Sequence, residues 1–132
     1  MTDARITWLA RIAFGLVLLV ILAAGLSSDP VPEAFENQDK LHHWAGFACL
    51  TLSAWLAFPR TRLVWLFLWP FLVSVGIELG QELLPLRTAS WADIAANVLG
   101  VLSGILCALV LRRFRPMDQT DRRPGKPGAD AL

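Results

Sequence analysis

The sequence predicts an all-α membrane protein in which four transmembrane helices pack as a small bundle. Its 132 residues are 55% hydrophobic with a mean hydropathy of +0.52, and a soluble domain this short would expose too much of that apolar surface to water. The charged residues fall in short stretches between long apolar runs, which is typical of multi-pass membrane proteins. With a formal net charge of only +1, the composition gives no indication of nucleic acid as a partner.

Four apolar stretches are long enough to span a bilayer as helices, which takes about 20 residues. They cover about residues 8–26, 41–58, 63–84 and 91–111. Helices are expected because an isolated apolar run satisfies its backbone hydrogen bonds only in that form. The four stretches define a domain over residues 1–115. The segment 116–132 is rich in Pro, Gly, Asp and Arg and is expected to be a disordered cytoplasmic tail.

The first stretch has a second interpretation as a cleaved signal peptide. Arg5 and Arg11 accompany an apolar core that ends in the small residues Ala23, Ala24 and Gly25. The core is long for a signal peptide, which favours a retained helix. Cleavage would leave three spans, again with the C-terminus inside the cell.

The distribution of lysine and arginine predicts the orientation. Arginines flank the N-terminal stretch, the second loop and the C-terminal end of the domain, at positions 5, 11, 60, 62, 112, 113 and 115. The first loop, residues 27–38, is acidic and contains no lysine or arginine. Both termini are therefore expected in the cytoplasm, with the first and third loops outside. Arg87, in the third loop, is the exception.

Ionisable residues inside the predicted spans are concentrated near the outward end. Glu78 and Glu82 end the third span, and Asp93 and Asn97 lie near the start of the fourth. Counting from the centre of the hairpin 85–90 pairs Glu78 with Asn97 and Glu82 with Asp93. Because such groups are costly in a membrane, they are expected to face the bundle interior or water.

The second span adds a histidine to this cluster. His43 shares a helix face with Asp39, and both lie at the outward end of the second span. Arg87 lies on the third loop, directly above the polar cluster. Gly100 and Gly104 share a face of the fourth span, where small residues allow close helix packing. Simpler interpretations remain open: His43 as a helix cap, Arg87 as a headgroup anchor, and the shallower acids as solvated interfacial groups.

Three motifs in this region resemble those of the VanZ-like family of bacterial membrane proteins. They are Asp-Lys-x-x-His from Asp39, Glu-x-x-Gln with a following Pro-x-Arg from Glu78, and Ser-x-x-Asp-x-x-x-Asn-x-x-Gly-x-x-x-Gly from Ser90, and they cover residues 39–104. Phe47 departs from the pattern, since family members often have Tyr there. The resemblance implies a multi-pass protein of the bacterial inner membrane and cell envelope. The family is named after a protein linked to resistance to teicoplanin-type glycopeptide antibiotics.

The expected site binds or processes an outer-leaflet lipid headgroup or a lipid-linked wall precursor. His43, Glu78 and Asp93 are the candidates for catalytic acid–base chemistry, because clustered carboxylates and imidazole exchange protons readily. Lys40 and Arg87 would hold phosphate or carboxylate. The full set of candidate ligand-binding residues is Asp39, Lys40, His43, Glu78, Gln81, Arg87, Ser90, Asp93 and Asn97.

Enzyme activity is left open by the sequence. No nucleophile motif and no Cys/His metal-ligand spacing is present, so no metal or cofactor is expected. The alternative function is a non-enzymatic scaffold or assembly protein whose polar groups pair only with one another. Its glycine faces would then join a second copy or another membrane protein. Proton-coupled transport is disfavoured because the inner half of every span is apolar.

Overall fold

The computed structural model describes residues 2–28, 32, 34–85 and 88–114, and these residues form four α-helices joined by loops. The helices are α1 (Thr2–Gly25), α2 (Gln38–Ala57), α3 (Leu63–Gln81) and α4 (Trp91–Phe114). The predicted all-helical class is confirmed for this part of the chain. The predicted cytoplasmic tail, residues 116–132, lies outside the described residues.

Three of these helices are long and apolar enough to cross a membrane: α1 over Ala4–Gly25, α3 and α4. The first two turns of α2 carry Asp39, Lys40, His42 and His43, which lowers its apolar content. Its crossing of the bilayer and the cytoplasmic location of both termini stay predictions. Large apolar side chains of all four helices are exposed on the outside of the bundle, which suits contact with lipid chains.

The end of α3 differs from the prediction. The helix ends at Gln81, not at residue 84. Pro85 disfavours a helical backbone at the preceding residue and has no N–H to donate. The chain therefore leaves α3 in tighter turns, with Leu83 N donating to Gly80 O at 3.1 Å and Leu84 N donating to Gln81 O at 2.9 Å.

The closest helix pair is α2 and α4, although α3 separates them in sequence. A Cβ atom added at Gly104 would lie 2.7 Å from Ala48 O and 2.8 Å from Thr51 Cβ. One added at Gly100 would overlap the carbonyl oxygen of Trp44. Both glycines of the fourth helix thus allow α2 to approach its backbone, which confirms the predicted small-residue contact.

The core lies between α2, α3 and α4, and α1 covers one side of it. The buried apolar residues form two clusters: Phe47, Leu50, Ile77 and Val101 in one, and Ala54, Trp55, Leu66 and Ala108 in the other. Phe14, Val17 and Ile21 of α1 pack against the first cluster, yet no residue of 4–25 is itself buried. The site is therefore built on α2, α3 and α4.

Candidate functional site

Polar side chains of three helices meet at one end of the bundle, where the last turns of α3 lie beside the first turns of α2 and α4. Five of them are buried: Ser74, Glu78, Gln81, Asp93 and Asn97. The side chain of His43 is 16% exposed beside them. Burying polar groups costs free energy unless they are hydrogen-bonded, so the partner of each group indicates what it does.

His43, Glu78 and Asp93 come from different helices and form what we call the His43–Glu78–Asp93 centre. One imidazole nitrogen and one oxygen of each carboxylate lie within 4.8 Å of one another. His43 Nε2 is 3.9 Å from Asp93 Oδ2, too far for a direct hydrogen bond, which spans about 2.7–3.2 Å. The three candidate acid–base residues are therefore neighbours, and His43 and Asp93 do not hydrogen-bond directly through these two atoms.

Asn97 orients the imidazole ring of His43. Asn97 Oδ1 lies 3.0 Å from His43 Nδ1, and Asn97 Nδ2 donates to Ser74 Oγ at 2.7 Å. An amide oxygen can only accept, so His43 Nδ1 carries the proton in this pair. In the neutral ring Nε2 then keeps its lone pair, and this is the nitrogen that faces Asp93.

Glu78 joins α3 to the beginning of α4. Its Oε2 accepts a hydrogen bond from the backbone N–H of Ser90 at 3.0 Å, one residue before α4 begins. A carboxylate is favoured there because the first backbone N–H groups of a helix lack intrahelical partners and carry partial positive charge. Glu78 thus holds the end of the α3–α4 loop and faces the centre with the same side chain.

The predicted register between α3 and α4 was wrong by about one turn. Asn97 bonds to Ser74, and the partner of Glu78 in the centre is Asp93; Glu82, expected opposite Asp93, is exposed. The prediction placed the loop at residues 85–90. Because α3 already ends at Gln81, the middle of the actual loop lies closer to α3 than predicted. Each residue of α4 therefore faces an earlier residue of α3 than the prediction gave it.

Three other predicted site residues have structural or peripheral roles. Gln81 is buried, but its Nε2 donates to Gly25 O at 2.9 Å, so it attaches the end of α1 to α3. Lys40 Nζ lies 3.4 Å from both carboxylate oxygens of Asp39, and both side chains are more than one third exposed. This pair lies at the rim, one turn of α2 away from His43.

Asp39 precedes the predicted second span, and its pKa reports the charges at the rim. Burial raises the pKa of Asp39, whereas its hydrogen bonds with Lys40 and the electrostatic interactions with Lys40 and with the nearby His43 lower it. The lowering contributions together exceed the effect of burial, and the pKa lies below the ordinary value of 3.8. The rim therefore carries an ionised carboxylate next to its lysine.

One oxygen of the centre has no hydrogen-bond partner among the described residues. Asp93 Oδ1 is buried and accepts no hydrogen bond from the described residues. Leaving a buried polar atom unbonded costs about 1–3 kcal/mol, and more when the group is charged. The same carboxylate faces His43 through Oδ2, so the unbonded oxygen belongs to the centre and is available to a ligand.

The structure therefore brings together His43, Glu78, Asp93 and Asn97, with Ser90 contributing its backbone N–H. Arg87, the predicted outer cation, lies outside the described residues. Ser74 was missed as a site residue. The available signal was its position four residues before Glu78, as the one polar side chain in an otherwise apolar stretch from residue 63 to residue 77.

Comparisons with known proteins agree with the motifs. No relative among curated proteins and no solved structure matches the chain. A family model described as VanZ/LLP1 matches residues 10–112, which is most of the chain and covers α2, α3 and the greater part of α1 and α4. The match contains His43, Glu78 and Asp93. On this evidence the chain belongs to the VanZ-like family.

Proposed function

We propose that this VanZ-like membrane protein binds or processes the headgroup of an outer-leaflet lipid or of a lipid-linked wall precursor at the His43–Glu78–Asp93 centre. The observation that carries the proposal is the convergence of an imidazole and two carboxylates from three helices within 4.8 Å. Ionisable groups at membrane depth are costly to retain. Grouped acids and bases can transfer a proton to or from a reacting oxygen.

The rim residues suggest how a headgroup would lie. Lys40 is one turn from His43 on α2 and is 39% exposed, so its ammonium group can contact a phosphate. Arg87 is the second proposed phosphate contact. Asp93 Oδ1 accepts no protein hydrogen bond from the described residues and is an acceptor for a headgroup hydroxyl or ammonium. The predicted topology puts this end of the bundle at the outer leaflet.

Resistance to teicoplanin-type glycopeptides is the cellular phenotype that we propose to test. It follows from the family resemblance. We also expect that a protein acting on wall precursors alters the precursors that such antibiotics meet at the cell surface. The inner membrane of a bacterial cell is the proposed location, with four spans and both termini in the cytoplasm.

A scaffold role is the second candidate, and specific hydrogen bonds favour it. Asn97 joins α4 to Ser74 of α3 and to His43 of α2, and Gln81 joins α3 to α1. Such bonds fix the arrangement of the helices whether or not a ligand binds. The scaffold role requires that the charge of Glu78 matters only for folding.

Glu78→Gln separates the two functions. Glutamine keeps an oxygen that can accept from the Ser90 backbone, so the α3–α4 connection survives while the carboxylate charge is lost. We expect the variant to insert and fold at near-normal levels but to lose retained lipid, which native mass spectrometry of the protein released from membranes would measure. Teicoplanin sensitivity of cells expressing each variant is the second measurement.

Glu82→Gln is the matched control, because Glu82 is one turn away and exposed. It should retain the same lipids as the unmodified protein. Arg87→Lys tests the phosphate contact, since lysine replaces an interfacial anchor but not a two-point contact with phosphate. If Glu78→Gln and Arg87→Lys keep both the retained lipid and the phenotype, the headgroup proposal fails and the scaffold role is favoured.

A further inference from the structure

We infer that the His43–Glu78–Asp93 centre binds one divalent metal ion of the Zn²⁺ or Mn²⁺ class. One nitrogen and two carboxylate oxygens lie within 4.8 Å of one another, and each comes from a different helix. Spacing along the sequence could not reveal such a group, because metal motifs are recognised from ligands that are close in the chain. Here 35 residues separate His43 from Glu78, and 15 separate Glu78 from Asp93.

The identity of the ligand atoms selects the class of ion. Ca²⁺ and Mg²⁺ prefer sites made of oxygen ligands alone. Imidazole together with carboxylates suits transition-metal ions, with Zn²⁺ bound more tightly than Mn²⁺. Three protein ligands also leave at least one coordination position for water or substrate, which is the usual composition of a catalytic rather than a structural zinc site.

The hydrogen bond from His43 to Asn97 prepares the ring for a metal. Histidines that bind metals almost always donate their other N–H group to a carbonyl, a carboxylate or water, which fixes the ring orientation. His43 Nδ1 makes this contact with Asn97 Oδ1 at 3.0 Å. Nε2, the other ring nitrogen, faces Asp93 Oδ2 at 3.9 Å and has no hydrogen bond to the described residues.

The distances are close to those that an ion requires. Ligand atoms at about 2.1 Å from a tetrahedral zinc ion lie about 3.4 Å apart. The His43–Asp93 distance of 3.9 Å is wider by about half an ångström. The three ligand atoms all lie within 4.8 Å of one another, so side-chain rotation must draw them together by at most about 1.4 Å. Asp93 Oδ1 is buried and has no hydrogen bond from the described residues. It is the independent sign of a ligand, because a cation would compensate a buried carboxylate.

A metal ion would also explain how an acidic centre accepts an anionic headgroup. Its open coordination position would take a phosphate oxygen, in a site whose two carboxylates would otherwise repel it. This second step rests on the proposed function. Metal binding itself does not, and it can be measured with the ion alone.

The test uses the full chain, purified through a tag without histidine and placed in nanodiscs of phosphatidylcholine. Calorimetric titration with Zn²⁺ should show one ion per chain, and Mn²⁺ should give the spectrum of a bound ion by electron paramagnetic resonance. Zn²⁺ should displace that Mn²⁺, and equimolar Mg²⁺ should not displace Zn²⁺. Asp93→Asn and His43→Gln should each weaken Zn²⁺ binding by at least about tenfold.

His42→Gln is the matched control, because His42 is the neighbouring exposed histidine. Glu82→Gln is the corresponding control for the carboxylates. Both variants should bind Zn²⁺ as the unmodified chain does. Circular dichroism establishes that each variant is folded, and if Asp93→Asn is not, the stoichiometry and the Mn²⁺ spectrum of the unmodified chain decide the question.

The inference is overturned if the unmodified chain binds no Zn²⁺ or Mn²⁺, if His43→Gln binds as tightly as His42→Gln, or if equimolar Mg²⁺ displaces the ion. Its failure is distinguishable from that of the proposed function. Lipid retention that depends on Glu78 without metal binding refutes the metal site alone. Metal binding without any retained lipid refutes the headgroup proposal and leaves the metal site intact.

Discussion

Replacing Gly104 by alanine should weaken the contact between α2 and α4. The new Cβ would lie 2.7 Å from Ala48 O, and ordinary contact begins near 3.4 Å, so the helices must separate by roughly 0.7 Å. Neither close neighbour can move aside, because Ala48 O is backbone and the Thr51 side chain is fully buried. Overfilling a packed contact of this kind costs about 1–3 kcal/mol of unfolding free energy.

Gly76→Ala is the matched control, because nothing lies within 4 Å of a Cβ atom at that position. Both substitutions gain about 1 kcal/mol in helix propensity. The difference in unfolding free energy between the two variants therefore measures the α2–α4 contact alone. Unfolding free energies would be measured in mixed micelles from the loss of helical circular dichroism as denaturing detergent is added. We expect Gly104→Ala to be less stable than Gly76→Ala by about 1–3 kcal/mol. Equal stabilities would refute the close approach of α2 and α4.

Three further predictions concern α1, the rim and the topology. Gln81→Met removes the bond to the α1 carbonyl, and should cost about 1 kcal/mol and speed proteolysis of the loop after α1. Folding lowers the pKa of Asp39, so its ionised carboxylate stabilises the folded protein. This stabilisation is complete above the pKa that Asp39 has in the unfolded chain, and it is lost only as pH falls through its pKa in the folded protein. The stabilities of Asp39→Asn and the unmodified protein should therefore run parallel between about pH 5 and pH 8, measured by thermal unfolding. Reporters that work only in the cytoplasm should be active after Pro59 and Arg115 and inactive within residues 31–35; the opposite pattern would reverse the orientation.

The helices could be predicted because their signal is local. Apolar runs of sufficient length identify α1, α3 and α4 whatever the rest of the chain does. The glycine contact was also predictable, since Gly100 and Gly104 repeat at a spacing that places both on one face. That spacing does not name the partner helix. The prediction named no partner, and the structure identifies α2.

The register of the site could not be predicted because it depends on one loop. A helix that ends three residues earlier than expected moves each pair across the hairpin, so Glu78 meets Asp93 and Asn97 meets Ser74. The early end follows from Pro85, which disfavours a helical backbone at the preceding residue and so shortens the last turn of α3. The identity of the polar residues was therefore predictable, whereas their pairing required three-dimensional information.

The contact between the second and fourth helices has a consequence for how the protein is made. His43 and Asn97 are 54 positions apart, and α3 is synthesised between them. Until α4 has been synthesised, the imidazole of His43 and the carboxylate of Glu78 lack the neighbouring groups that α4 supplies. The centre is completed only when Gly100 and Gly104 dock onto α2, so the last helix to be synthesised completes the assembly. A chain that stops before α4 therefore lacks the Asn97 and Asp93 contacts of the centre.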